Sequence, residues 1–171
     1  TSIAAEAGHA RLIHSELPDP PAGHVRVRAL FSGVSAGTEQ LMLAASAASN
    51  SAEPRPLGYQ LAGEVESVAE DLKDRFAPGD RVACYGGPYV HHASYINVPK
   101  HLAVKLPSGC DPMAAAFCGL GAIALHAFRT SDLRIGETAA VVGLGMLGNL
   151  IAQIARAAGC RVVGCDRVEK R

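Results

Sequence analysis

The sequence predicts an α/β chain: a β-rich first part closed as a compact barrel, then the opening strand, helix and strand of a doubly wound parallel sheet. Three observations carry this. Short apolar runs separated by turn residues fill the chain as far as Leu106-Pro107. The pattern turns helical near Cys110-Asp111-Pro112. Then Val141-Val142-Gly143-Leu144-Gly145-Met146-Leu147-Gly148 passes from an apolar strand through a glycine turn into a helix, and a second apolar run, Cys160-Arg161-Val162-Val163-Gly164-Cys165, ends at Asp166.

Taken in order, Ala10 to His14 reads as a strand, and Pro18 to Gly23 as a turn-rich break. His24 to Ser35 alternates apolar and polar residues, as a half-buried strand does. Glu39 to Ala48 has the length of one short helix, while Ala44 to Glu53, small and polar, reads as a surface loop that overlaps its end. Gln60 to Ala69, Val82 to Tyr85, Ala93 to Val98 and Ala103 to Leu106 continue the strands, with Pro78-Gly79 as a turn before the second of these. Asp111 suits a helix N-cap with Pro112 at the first helical position, so Met113 to Phe117 and Ile123 to Arg129 read as helices. The expected division is 1–112 for the barrel and 113–171 for the nucleotide-type part.

Composition narrows the classes. The chain has 171 residues, 49% hydrophobic and 19% charged, enough to bury a core. Sixteen basic and sixteen acidic residues cancel, which disfavours nucleic acid or an anionic membrane as a partner. No apolar run reaches the length that crosses a bilayer. The five cysteines (Cys84, Cys110, Cys118, Cys160 and Cys165) are odd in number and form no CxxC pair, so a reducing cytoplasm is expected. The first residues lack the plan of a signal peptide, and Thr1 is not a natural start, so a trimmed N-terminus is expected. A doubly wound sheet takes about six strands. The chain shows two, and a fragment of a longer enzyme, or a sheet completed by another chain, is the expectation.

The glycine turn has a chemical reading. Gly143 allows the sharp turn off the strand, Gly145 lets a pyrophosphate approach the backbone, and Gly148 lets the helix lie close to the sheet. The free amides and dipole at the helix start favour phosphate charge. Leu144, Met146 and Leu147 complete the cradle, and Asp166 would accept hydrogen bonds from the adenosine ribose. That carboxylate would repel a 2′-phosphate, which favours NAD; Arg167, able to pair with such a phosphate, keeps NADP open.

Several landmarks in one order go further. Phe31-Ser32-Gly33-Val34-Ser35-Ala36-Gly37-Thr38-Glu39, Pro56-Leu57-Gly58-Tyr59-Gln60-Leu61-Ala62-Gly63-Glu64-Val65, Pro78-Gly79-Asp80-Arg81-Val82 and Gly119-Leu120-Gly121-Ala122-Ile123-Ala124-Leu125-His126-Ala127 precede the glycine turn. Over essentially its whole length the chain resembles the medium-chain dehydrogenase/reductase superfamily, alcohol-dehydrogenase-like enzymes with a chaperonin-10-like barrel and a Rossmann domain. Ser-Gly-Val-Ser-Ala-Gly-Thr-Glu and Leu-Gly-Ala-Ile-Ala-Leu-His are similar to a subgroup near bacteriochlorophyllide dehydrogenases and two-domain sugar-type oxidoreductases. The resemblance implies an NAD(P)-dependent oxidoreductase acting on a small molecule, a hydroxylated or sugar-like alcohol or a pigment side chain, in a cleft between barrel and Rossmann domain. A homo-oligomer is the expected assembly.

Zinc members of that family carry a cysteine at the first landmark and Gly-His-Glu at the second. Here Ser35 and Ala36 stand near the cysteine position, with an apparent one-residue insertion, and the second landmark reads Gly58-Tyr59-Gln60. Hydroxyl and amide groups are poor zinc ligands, Cys118 alone near the third position cannot hold the metal, and the four-cysteine structural lobe is missing. No zinc is therefore expected. Tyr59, in the place of a ligand, and Thr38 with Glu39, similar to the Thr-Asp or Ser-Asp proton-relay pair, become the candidate catalytic residues together with Ser35. Bland readings stand beside them: Tyr59 fills an empty metal pocket, and Thr38 and Glu39 open a helix. His91 and His92, adjacent in a strand, would face opposite ways and are expected in surface or packing roles. His126 lines the cofactor cleft or sits in the interior, and Cys118 to Gly121 approaches the nicotinamide or packs a helix. An NADPH-dependent quinone or enone reductase, or a non-catalytic nucleotide-binding or structural module, remain the alternatives.

Overall fold

The structure, a computed structural model, describes residues 1–49 and 53–169. The chain forms two compact units, Thr1–Cys118 and Gly119–Arg171.

In the first unit, β1 (Ser2–Glu6), β2 (His9–Ile13) and β4 (Arg55–Pro56) make a three-stranded antiparallel sheet in the order β2-β1-β4. The second sheet is the framework: β7 (Tyr95–Pro99), β3 (His24–Ser32), β5 (Gln60–Val68), β6 (Arg81–Tyr85) and β8 (Ala103–Lys105), antiparallel throughout. It curls into a half-barrel, but β7 and β8 remain its two edges, so the expected barrel is an open one. Alternation explains the core. Val25, Val27, Leu61, Val65, Val82, Cys84, Ile96 and Val98 point to one side and bury together with Leu72, Phe76 and Val90. Each such aliphatic side chain contributes about 1.5–3 kcal/mol on burial. The Pro78-Gly79 turn is closed by Asp80, whose carboxylate accepts the Ala77 N–H at 2.7 Å and pairs with Lys105 at 2.7 Å.

Helix α1 (Ala36–Ala48) starts three residues before the expected Glu39, because the Glu39 carboxylate reaches back to the Ser35 N–H at 2.8 Å and ties off the entry. Its last turns occupy much of the expected loop at Ala44–Glu53. There Ser46 donates to the Leu43 carbonyl and accepts the Gly8 N–H, anchoring the helix to the β1–β2 hairpin. The centre of that expected loop, 50–52, lies outside the described residues. The short α2 (Pro112–Ala115) is capped by Asp111, which accepts the Met113 N–H at 2.9 Å. Ala115 and Ala116 pack on Ala62 and Ala83 of the sheet, so the first unit extends through Cys118, past the expected 112/113 division.

The second unit takes in α3 (Cys118–Thr130) from Gly119 onward. It adds β9 (Thr138–Val142), α4 (Met146–Ala157) and β10 (Arg161–Cys165), with β9 and β10 parallel in the register Ala139↔Val162 and Val141↔Gly164. Its core is small: Ala139, Ala155 and Cys160, with Phe128, Leu133 and Val162 against them.

Candidate functional site

Each unit carries its own candidate site. In the second, the glycine turn joins β9 to α4. Gly143 has φ +93°, a left-handed conformation that a side chain resists. Its N–H donates to the Cys165 carbonyl at 2.8 Å, which pins the turn to the end of β10. At Gly148 a Cβ would lie 1.8 Å from the Gly143 carbonyl oxygen, so no other residue fits there. Gly145 is the N-cap of α4 and brings no capping side chain. The first-turn amides of Met146, Leu147 and Gly148, which no helix can satisfy internally, are thus left for an outside acceptor.

Asp166 follows β10. Its Oδ2 accepts the Leu144 N–H at 2.6 Å and its Oδ1 the Val168 N–H at 2.8 Å. The Leu144 amide, expected to face a diphosphate, is therefore taken by this carboxylate, while the Leu144 side chain lies over Gly164. A cavity of about 460 Å³ opens between Val142, Gly143, Cys165, Asp166 and Arg167, and Arg167 is exposed at its rim. Turn, helix start, acid and cavity come together as a dinucleotide site requires.

In the first unit, Ser35 is the N-cap of α1, and Thr38 and Glu39 stand in its first turn. The Ser35 hydroxyl lies 3.4 Å from that of Thr38, which is exposed. Glu39 instead turns inward and is buried. One of its oxygens takes the Ser35 N–H, and the other meets His92 Nε2 at 3.0 Å. The opposite ring nitrogen, Nδ1, meets the Ser32 hydroxyl at 2.8 Å. His92 is thus a buried hub, and it precedes β7 rather than lying in a strand. Gly58, at φ +88°, makes room for it: a Cβ there would come within 2.7 Å of Nε2. This chain of three residues is absent from any local reading, since its partners stand 53 and 60 positions apart.

Tyr59 is half-buried, its ring set edge-on to Tyr85 at 5.8 Å between centroids. Among the described residues it shares no hydrogen bond with Ser35, Thr38 or Glu39. Gln60 is fully buried, and its carbonyl accepts the Gly33 N–H at 3.2 Å. Burial, with Cys118 nearby, pushes the Cys84 thiol up to about 12, so it stays protonated at neutral pH, when only a thiolate binds metal or attacks. Burial also holds His91 below the usual imidazole range, only partly offset by the carbonyls of Pro88 and Tyr89. Among the described residues no group of three His, Cys, Asp or Glu side chains has the geometry to hold a metal ion.

No family model matches the chain. It is similar to 2-desacetyl-2-hydroxyethyl bacteriochlorophyllide A dehydrogenase of Cereibacter sphaeroides, 31% identical over 84% of this chain and 48% of that protein. It is 37% identical to a quinone oxidoreductase of Pseudomonas aeruginosa over 65% of this chain and 35% of that one. A solved quinone oxidoreductase of Thermus thermophilus, also determined in complex with NADPH, superposes with TM-score 0.78 at 26% identity, covering 99% of this chain and 54% of that one. The chain spans about half the length, or less, of the curated relatives it matches. Motif order, fold and these likenesses agree: the chain belongs to the medium-chain dehydrogenase/reductase superfamily.

Proposed function

We propose that the chain is part of an oxidoreductase that passes hydride between NAD(H) and an alcohol or ketone without using zinc. The observation that carries this reading is the glycine turn whose Gly148 tolerates no side chain, set beside the Asp166 carboxylate and its open cavity. When bound, the nicotinamide would give hydride to a ketone or take it from an alcohol. The residues do the rest. The first-turn amides of α4 hold the diphosphate, and Asp166 takes the ribose hydroxyls while disfavouring a 2′-phosphate. The Ser35–Thr38 hydroxyl pair handles the one proton of the reaction, and the Tyr59 hydroxyl donates to the substrate oxygen, where negative charge develops.

The donor set does not suit zinc. Tyr59 and Gln60 stand where the resemblance calls for His and Glu, Gln60 is bound into the core, and Cys84 keeps its proton. No step is therefore routed through a metal. All five cysteines are free thiols, which fits a reducing, cytoplasmic setting. No helix among the described residues is long and apolar enough to cross a membrane.

A second reading, quinone or enone reduction with NADPH, is favoured by the Pseudomonas and Thermus likenesses and by Arg167 beside the cavity. The test is turnover by the full-length protein against panels of alcohols, ketones and quinones, with elemental analysis of the same preparation. The reading expects alcohol–ketone turnover with NAD(H), no stoichiometric metal and no loss with chelators. One zinc per chain would overturn the zinc-free mechanism. Turnover confined to quinones and NADPH would replace the first reading by the second, and cofactor binding without turnover of any panel would favour a binding module.

A further inference from the structure

His92 serves no role in the chemistry described so far, yet it is among the few buried polar residues of the first unit. Both ring nitrogens are engaged, at 2.8 Å to Ser32 and 3.0 Å to Glu39. A carboxylate oxygen accepts, so the Nε2–H tautomer donates to Glu39 and leaves Nδ1 to accept from the Ser32 hydroxyl. The same carboxylate accepts the Ser35 N–H at the entry of α1. One buried imidazole thereby ties three pieces together: the end of β3, the segment before β7, and the turn that carries Ser35 and Thr38. Gly58 gives up its side chain to make room for that ring.

We infer that His92 is a positioning residue: acting through Glu39, it fixes the first turn of α1 and so sets where the Thr38 hydroxyl stands. The inference rests on the proton-handling role proposed for Thr38. Physically, Glu39 alone would be a buried carboxylate with one backbone donor, and losing the second donor leaves it poorly satisfied and free to turn outward. The N-cap amide would go with it. A hydroxyl displaced by a fraction of an ångström from a proton-transfer geometry loses rate while distant cofactor contacts stay intact.

The experiment uses the full-length protein with His92→Phe, His92→Gln, Thr38→Val and the His92→Phe/Thr38→Val double variant. Amide hydrogen exchange is read at Ser35, together with kcat, KM and the NADH dissociation constant. His92→Phe is expected to speed exchange at Ser35 and to lower kcat about tenfold or more, with NADH affinity unchanged. In the Thr38→Val background it is expected to cost nothing further, because the two act as one unit. His92→Gln, whose amide N–H replaces the Nε2 donor, is expected to recover part of kcat and the slow exchange. Unchanged exchange at Ser35 would overturn the coupling. Losses that multiply in the double variant, or NADH affinity falling alongside kcat, would reduce His92 to a general stabiliser. Full turnover by Thr38→Val would instead overturn the role proposed for Thr38, and faster exchange at Ser35 in His92→Phe would still show that His92 holds the turn, which distinguishes the two failures.

Discussion

The two units bury their residues in very different ways. The first has a sheet core of fully enclosed side chains, Val25, Val27, Leu61, Val82, Ile96 and Val98 among them. The second rests on Ala139, Ala155 and Cys160, while Val142 is 85% exposed and Val163 62%. Antiparallel strands can be covered on one face and wet on the other, but strands of a parallel sheet are normally covered on both. The proposed cofactor cradle nevertheless has a defined geometry, set by the backbone of one turn at Gly143, Gly145 and Gly148 and by the Asp166 carboxylate that accepts the Leu144 N–H. The proposed dinucleotide turn is thus placed by local backbone geometry, whereas the proposed hydroxyl groups of the first unit depend on long-range packing to be placed.

The contrast is open to attack at its strongest point. In the 171-residue chain, Leu61→Ala removes a fully buried side chain and is expected to cost about 2–5 kcal/mol, whereas Val142→Ala is expected to stay within about 0.5 kcal/mol. All four tyrosines (Tyr59, Tyr85, Tyr89 and Tyr95) lie in the first unit and the chain has no tryptophan, so tyrosine fluorescence during chemical unfolding reads that unit alone. Comparable losses for the two variants, with Val142→Ala followed by circular dichroism, would contradict the difference in burial.

A smaller effect sharpens the picture of the first unit. His91 has its folded-state pKa lowered, chiefly by burial, from the ordinary 6.5. The unfolded chain then binds more protons than the folded one as pH falls below that value. Stability of the first unit is therefore expected to be highest above pH 6.5 and to decline as pH drops through 6.5 towards the lower folded-state value. His91→Gln should flatten this slope in unfolding curves recorded on either side of pH 6.5, and an unaltered slope would contradict the burial of the neutral ring.

What could be read in advance follows the same divide. The glycine turn, its strand and its acid are local signals, with each residue type dictated by a backbone need a few positions away. The alternating strands from His24 to Leu106 were legible for the same reason. Strand β1, Ser-Ile-Ala-Ala-Glu, was not: it is too short and too alanine-rich to alternate, and its pairing with β2 and β4 places it. The end of α1 looked like a loop because its Ala-Ser-Ala-Ala run has no apolar stripe, although alanine favours helix and Ser46 is anchored by Gly8. The Ser32–His92–Glu39 chain could not be read at all, since only the folding of three distant segments assembles it.

The most direct test of the account is titration of the full-length protein with NADH and with NADPH, followed by nicotinamide fluorescence, for the natural sequence and for Gly148→Val. Saturable binding that prefers NADH, weakened about tenfold to a hundredfold or lost in Gly148→Val while circular dichroism shows the protein still folded, is the predicted result. Undiminished NADH binding by Gly148→Val would place the dinucleotide elsewhere and contradict the account.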